Sequence, residues 1–185
     1  VVLATQNPRE QEGAYPLPEA QLDRFMFNVW LDYPSFEEEV QIVKATTGGI
    51  IAEANQVLQA DEILFFQDLV RKVPVPDGVV DYAVNLTNAT RPNGANPPAV
   101  TKEFINRGAG QRAGQDVVGG ARCHALMRGK YSPDREDVRA VATNVLRHRI
   151  VRNYKAEAEG ITSEKIIEDL MQAAAAIRFS LGVFD

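Results

Sequence analysis

The run Val1 to Phe27, VVLATQNPREQEGAYPLPEAQLDRFMF, decides how this chain is read. It opens on Val1-Val2-Leu3-Ala4-Thr5, a short apolar stretch rich in β-branched residues, which predicts a buried strand over 1–5. No initiator Met, signal peptide or polar lead-in comes before it, so the chain reads as truncated at its start. Gln6-Asn7-Pro8 follow at the C-terminal end of that strand. Open α/β sheets bind ligands at such ends, where an amide could hold a water or a phosphate oxygen. The same Asn-Pro pair also initiates turns, and spacing alone leaves both readings open. A turn-rich stretch through Tyr15-Pro16-Leu17-Pro18 leads to a short helix over 19–23, and Phe25-Met26-Phe27-Asn28-Val29-Trp30-Leu31 predicts a second strand.

From Ser35 onward the apolar period becomes helical. Ser35 and Glu38 form a capping box, Phe36, Val40 and Val43 share one face, and Gly48-Gly49 ends the run. Asp61 opens a second helix carrying Leu64, Phe65, Leu69 and Val70, which Pro74 and Pro76 close. Asp77 opens a third, with Val80, Ala83, Val84 and Thr87 along it, ending near Arg91-Pro92, and 93–98 reads as a linker. A fourth helix is predicted from about Gly110 to Arg128. Its Gly114, Gly119 and Gly120 are costly for helix propensity, so another element must approach it closely. Ser132-Pro133 starts a fifth, and Thr162 caps a sixth whose buried stripe is Ile166, Ile167, Leu170, Met171 and Ala174. Two strands followed by about six helices predict a mainly α chain, an all-helical domain joined to a short remnant of an α/β core.

Composition narrows the function classes. The chain has 185 residues, 45% of them apolar, as expected of a folded protein. No stretch approaches the roughly 20 apolar residues of a membrane span. One cysteine, Cys123, excludes a disulfide framework; with only His124 and His148 beside it, no zinc site is expected. Cys123 lies in a helix with no base near it in sequence and reads as packing. The missing signal and the lone thiol predict a cytoplasmic protein.

The net charge of −5 hides an asymmetry: residues 1–100 carry −8 and residues 101–185 carry +3. Within 107–155, eleven Lys and Arg face four acids, a stretch that could meet a phosphate, a nucleic acid or an acidic neighbour, or form solvated helix faces. A sequence pI of about 5.2 argues against nucleic acid. Two arginines stand out. Arg24, just before the predicted second strand, is placed to reach a neighbouring subunit or to pair with Asp23. Arg112 lies in Gly108-Ala109-Gly110-Gln111-Arg112-Ala113-Gly114 at a predicted helix start, where backbone N–H groups and the helix dipole favour an anion; an exposed arginine on a flexible helix start is the other reading.

The order of these motifs carries more than any one of them. The first 27 residues resemble the second half of the nucleotide-binding core of MoxR-type AAA+ ATPases. The resemblance continues through DEILFFQDLVRKVPVPDGVVDYAVNLTNATRP and SPDREDVRAVATNVLRHRIVRNYKAEAEGITSEKIIEDL, in family order and over nearly the whole chain. It implies that residues 1–33 end an α/β core and that 34–185 form an α-helical lid. It implies that Asn7 is the sensor 1 residue that orients the attacking water, Arg24 the arginine finger offered in trans, and Arg112 the sensor 2 arginine. The family pattern Gly-Ala-Ser-Pro-Arg-Ala reads Gly-Ala-Gly-Gln-Arg-Ala here; the rigidifying Pro is gone, which implies a less firmly fixed helix start. Because the lid can be displaced in the related chelatase-like branch, Arg112 could act in cis or in trans.

The resemblance further implies that the full-length protein hydrolyses ATP with Mg2+ in a ring, a hexamer, and remodels client proteins or assists metal or cofactor insertion. A von Willebrand factor A-domain protein is an implied partner. No Gly-x-x-x-x-Gly-Lys-Ser/Thr loop and no Walker B strand occur in these residues, so the chain alone is expected neither to bind ATP well nor to hydrolyse it. A non-catalytic helical interaction module derived from such a lid is the alternative. The phosphate-loop strand that would separate the strands at 1–5 and 25–31 is also missing. These two are therefore expected to pair with each other, to pair with another copy, or to lie against the lid.

Overall fold

A computed structural model of the chain describes residues 2–6, 17–48 and 54–176. Among the described residues there are nine helices. These are α1 (Glu19–Leu22), α2 (Phe36–Thr47), α3 (Ala60–Lys72), α4 (Asp77–Ala89), α5 (Ala99–Phe104), α6 (Gln111–Met127), α7 (Arg135–Leu146), α8 (Tyr154–Ala158) and α9 (Ser163–Ala176). Two short strands, β1 (Ile105–Arg107) and β2 (Val151–Arg152), pair antiparallel with Ile105 opposite Arg152. The fold is mainly α, as the helical period requires.

Local chemistry explains most boundaries. Ser35 Oγ accepts from the Glu38 N–H and the Glu38 carboxylate accepts from the Ser35 N–H at 2.8 Å, so the α2 capping box forms. Glu62 likewise reaches back to the Gln59 N–H at 2.7 Å, which starts α3 one residue before Asp61. The cap of α7 is Asp134 and not Ser132. Its carboxylate accepts from the Glu136 and Asp137 N–H groups, and the Asp137 carboxylate returns the bond to Asp134 N at 2.9 Å. An ionised carboxylate nearer the first turn displaces the hydroxyl as cap and leaves Pro133 outside the helix. Thr162 accepts from the Lys165 N–H and caps α9. The short α5, α8 and the β1–β2 ribbon were not foreseen; each is too brief to show a period.

One core unites α4, α6, α7 and α9. Ala83, Leu86, Ala113, Val117, Ala121, Val138, Ala142, Val145, Leu146, Ile166, Ile167 and Leu170 are all fully buried there. The α9 stripe packs as expected, whereas that of α4 is rotated: Val79, Tyr82, Ala83, Leu86 and Thr87 are buried and Val84 is exposed. The small residues of α6 serve the predicted close approach. A Cβ placed on Gly120 would meet the Phe27 ring at 3.2 Å and Val141 of α7 at 3.3 Å; one on Gly119 would meet the Met26 methyl at 3.5 Å. By contrast, α2 and α3 bury no residue, and Phe36, Val43, Leu64 and Phe65 are exposed. Their stripes follow the helical period; α3 lies against α6 with Val70 half-buried, whereas most apolar residues of both helices remain exposed.

The two predicted strands are corrected. Residues 2–6 form no strand, and Val2 and Leu3 are 79% and 91% exposed. Residues 25–31 form none either, because a strand requires a ladder partner and none is offered among the described residues. The second segment instead lies against the helices, the last of the three expected arrangements. The Asn28 N–H donates to the Asn144 carbonyl at 2.8 Å, Met26 and Phe27 rest on Gly119 and Gly120, and Arg147 stacks on the Trp30 ring at 5.0 Å.

Candidate functional site

The segment that lies on α6 and α7 also carries Arg24. α1 ends in a turn in which the Asp23, Arg24 and Phe25 N–H groups donate to the Glu19, Gln21 and Leu22 carbonyls. This turn fixes the backbone at Arg24 and leaves its side chain exposed, at the edge of a shallow cleft with Val2, Gln21, Phe25 and Met26. No ion pair engages Arg24 among the described residues. The local Asp23–Arg24 pair is not formed, because Asp23 is occupied elsewhere.

Asp23 faces two other arginines. Arg149, just past the C-terminus of α7, has a side chain only 1% exposed, and its Nε lies 3.0 Å from Asp23 Oδ1. Its Nη2 donates to the Asp116 carboxylate at 2.6 Å and to the carbonyls of Asp23 and Phe25, each at 2.9 Å. Arg112, in the first turn of α6, brings Nη1 to 3.6 Å from the other Asp23 oxygen and keeps its side chain half exposed. Two arginines and two aspartates thus balance in charge, as a group with Arg149 at its buried centre must. The neighbouring His148 donates from Nε2 to the Phe25 carbonyl at 2.9 Å. Burial holds its pKa below the usual histidine range, and the adjacent Arg149 pushes the same way.

The helix start bearing Arg112 is anchored without the missing Pro. A Cβ on Gly108 would fall 2.2 Å from the Thr90 carbonyl oxygen, so only glycine allows this contact. The Thr90 hydroxyl accepts from the Ala109 N–H at 2.9 Å, and Arg91 Nε donates to the Ala109 carbonyl at 2.8 Å. The loop before α6 is therefore tied to the end of α4, and the expectation of a loosely fixed start is corrected. Gly110 caps α6 with no side-chain acceptor; the Ala113 N–H bonds back to the Gly110 carbonyl, which leaves the Gln111 and Arg112 N–H groups without a side-chain cap.

Arg24 and Arg112 are thus brought to one region, linked through Asp23, while Asn7 lies outside the described residues. The basic stretch is spent largely within the chain. Arg107 pairs with Glu19, Arg147 with Glu164, Lys155 with Glu103, and Lys130 with Asp134 and Asp137. Arg149, Asp116 and His148 did not emerge as site residues from sequence. The one available signal was the Arg147-His148-Arg149 run directly after the buried Val145-Leu146 pair. Burial pushes the Cys123 thiol pKa up, away from reactivity. Among the described residues no group of three or more His, Cys, Asp or Glu could hold a metal ion, and no helix is long and apolar enough to cross a membrane.

Two family models match separate parts of the chain. The ATPase family associated with various cellular activities (AAA) matches residues 1–27, and the AAA lid domain matches residues 99–170. Chaperone MoxR1 of Mycobacterium tuberculosis is 39% identical over 95% of this chain and 46% of its own length. The chain belongs to the MoxR-type AAA+ ATPases. A second relative, the uncharacterized protein YeaC of Bacillus subtilis, is 32% identical over 93% of the chain and 51% of its own length. The crystal structure of a candidate ATPase from Cytophaga hutchinsonii superposes with a TM-score of 0.81 at 34% identity, covering 90% of this chain and 51% of that one. The chain spans about half the length of the curated relatives it matches.

Proposed function

We propose that this chain is the sensing half of a MoxR-type ATP-hydrolysing site, within a protein of its relatives' length that acts as a chaperone-like remodeller. In this reading residues 1–33 end the α/β core and 34–185 form the lid. The phosphate loop and the Mg2+ ligands are supplied by residues outside this sequence. The observation that carries the proposal is Arg24 itself: an exposed guanidinium with no acidic partner among the described residues, on a backbone turn held to α6 and α7. Phosphoryl transfer to water depends on positioning and charge neutralisation more than on covalent chemistry. A planar, permanently charged fork on a fixed turn suits that task, reaching the γ-phosphate of an adjacent subunit.

Arg112 is the sensor 2 arginine in this reading. It joins the open N-terminus of α6, where unsatisfied N–H groups and the helix dipole favour the same phosphate. Asn7 is assigned the water-orienting role of sensor 1, on the resemblance alone. A trans finger makes hydrolysis conditional on a ring, for which six subunits and a von Willebrand factor A-domain partner are the proposed assembly, with the client a protein and not a nucleic acid. Arg24→Ala in the full-length protein is expected to lower kcat by about 10³-fold or more with the ring intact by light scattering. Unchanged turnover in the assembled ring would remove the finger assignment. The alternative, a non-catalytic interaction module, is supported by the exposed apolar side chains of α2 and α3 and predicts no ATP turnover in the full-length protein.

A further inference from the structure

Arg149 is the least accessible charged side chain of the site, and the proposed reaction leaves it without a role. Its five N–H donors span three elements: Nη2 reaches Asp116 on α6 and the carbonyls of Asp23 and Phe25, Nη1 lies 3.3 Å from the Val145 carbonyl of α7, and Nε lies beside Asp23. The two carbonyls belong to the residues immediately before and after Arg24. Holding both flanking peptides from one rigid, buried group fixes where the Arg24 backbone points, whereas the Arg24 side chain stays free. His148 strengthens the hold through a second bond to the Phe25 carbonyl.

We propose that Arg149 is a positioning residue for the arginine finger, clamping the turn at Asp23–Phe25 so that Arg24 is presented at a fixed angle to the neighbouring subunit. The role rests on the finger reading of Arg24. Arginine is required because a lysine ammonium ends one bond short of the Nη2 position, from which Asp116 and both carbonyls are reached, and has no second nitrogen to stand beside the Asp23 carboxylate. Asp23, held on one side by Arg149, lies 3.6 Å from the half-exposed Arg112 on the other.

The test uses the full-length ATP-hydrolysing protein. Arg149→Lys is expected to lower kcat by about 10²-fold, the scale of a 1 Å misplacement, while KM for ATP shifts less than about threefold. The split follows because the defect lies in the finger given to a neighbour and not in the variant's own ATP site. Mixing Arg149→Lys subunits with subunits whose phosphate-loop lysine is replaced should restore turnover above the sum of the two alone. The second kind still lends a properly held finger to the first kind's intact site. A merely structural defect gives no such complementation.

Asp116→Asn, which weakens the clamp from the α6 side and keeps an acceptor, covers the case in which Arg149→Lys fails to assemble; its expected loss in kcat is about tenfold. Wild-type kcat in either assembled variant, or absent complementation, overturns the positioning role while leaving Arg24→Ala as an independent check. Should Arg24→Ala itself turn over normally, it is the finger reading that fails.

Discussion

At the scale of single residues, two buried titratable groups set how the molecule responds to pH. His148 is pressed by burial, and less by Arg149, toward its neutral form, against opposite pulls from its bond to the Phe25 carbonyl and from Asp23 and Asp116. The unfolded chain therefore binds the proton more readily than the native one. Stability is full above about pH 6.5 and falls as the pH drops through that value. His148→Gln keeps a donor for the Phe25 carbonyl and removes the titration. Urea midpoints between about pH 5 and 7.5 should slope in the wild type and flatten in this variant; an equally steep slope in His148→Gln would place the charge elsewhere. Asp137 has the same sign but acts lower on the pH scale. Burial alone would raise its pKa, but the Asp134 N–H, His124 and Lys130 together hold it at about 2, so its stabilisation disappears only in strong acid. Neither behaviour was legible in the sequence, because both depend on partners brought from other turns and other helices. Asp23 shows the limit most plainly: its sequence neighbour Arg24 was a natural partner, yet the fold pairs it with Arg149, which is 126 residues away.

At the scale of elements, the loop before α6 illustrates how close packing replaces a local rigidifier. Gly108 touches the backbone of Thr90, whereas nothing lies within 4 Å of a Cβ on Gly110. Gly108→Ala is expected to destabilise by about 1–3 kcal/mol, since the obstructing atom is a carbonyl oxygen that cannot swing aside. Gly110→Ser is expected to gain a few tenths of a kcal/mol, because the serine supplies the cap that α6 lacks. Thermal melts of the two single variants check the pair, and equal shifts would remove the contact argument. Helix starts with a capping side chain, at Ser35 and Thr162, were readable from sequence because the cap is a local event within three residues. The α7 start was misread by two residues, since Ser132 and Asp134 compete for one role and the carboxylate accepts more strongly. The glycines of α6 were correctly taken as a contact surface, but only the fold shows that Phe27 and Val141 are what they meet.

At the scale of the whole molecule, the distribution of buried residues is uneven. The core joins α4, α6, α7 and α9, whereas α2 buries nothing and at 12 residues is too short to be stable alone. In the 185-residue chain, amide hydrogens of α2 should exchange orders of magnitude faster than those of α6 and α7. Comparable protection would show that α2 has a partner. The helical class, the linker at 93–98, most helix starts and the family membership were determined by the sequence itself, because period, capping and motif order are local or linear properties of a chain. The fate of 25–31 was not. Its residues have the β-branched and aromatic character of a strand, but a strand exists only with a ladder partner, and the fold lays the segment on α6 and α7 instead. The tertiary structure likewise decided that Arg149 sits at the centre of the site, since burial and the convergence of two aspartates and two carbonyls are properties of packed elements that no spacing in the sequence records.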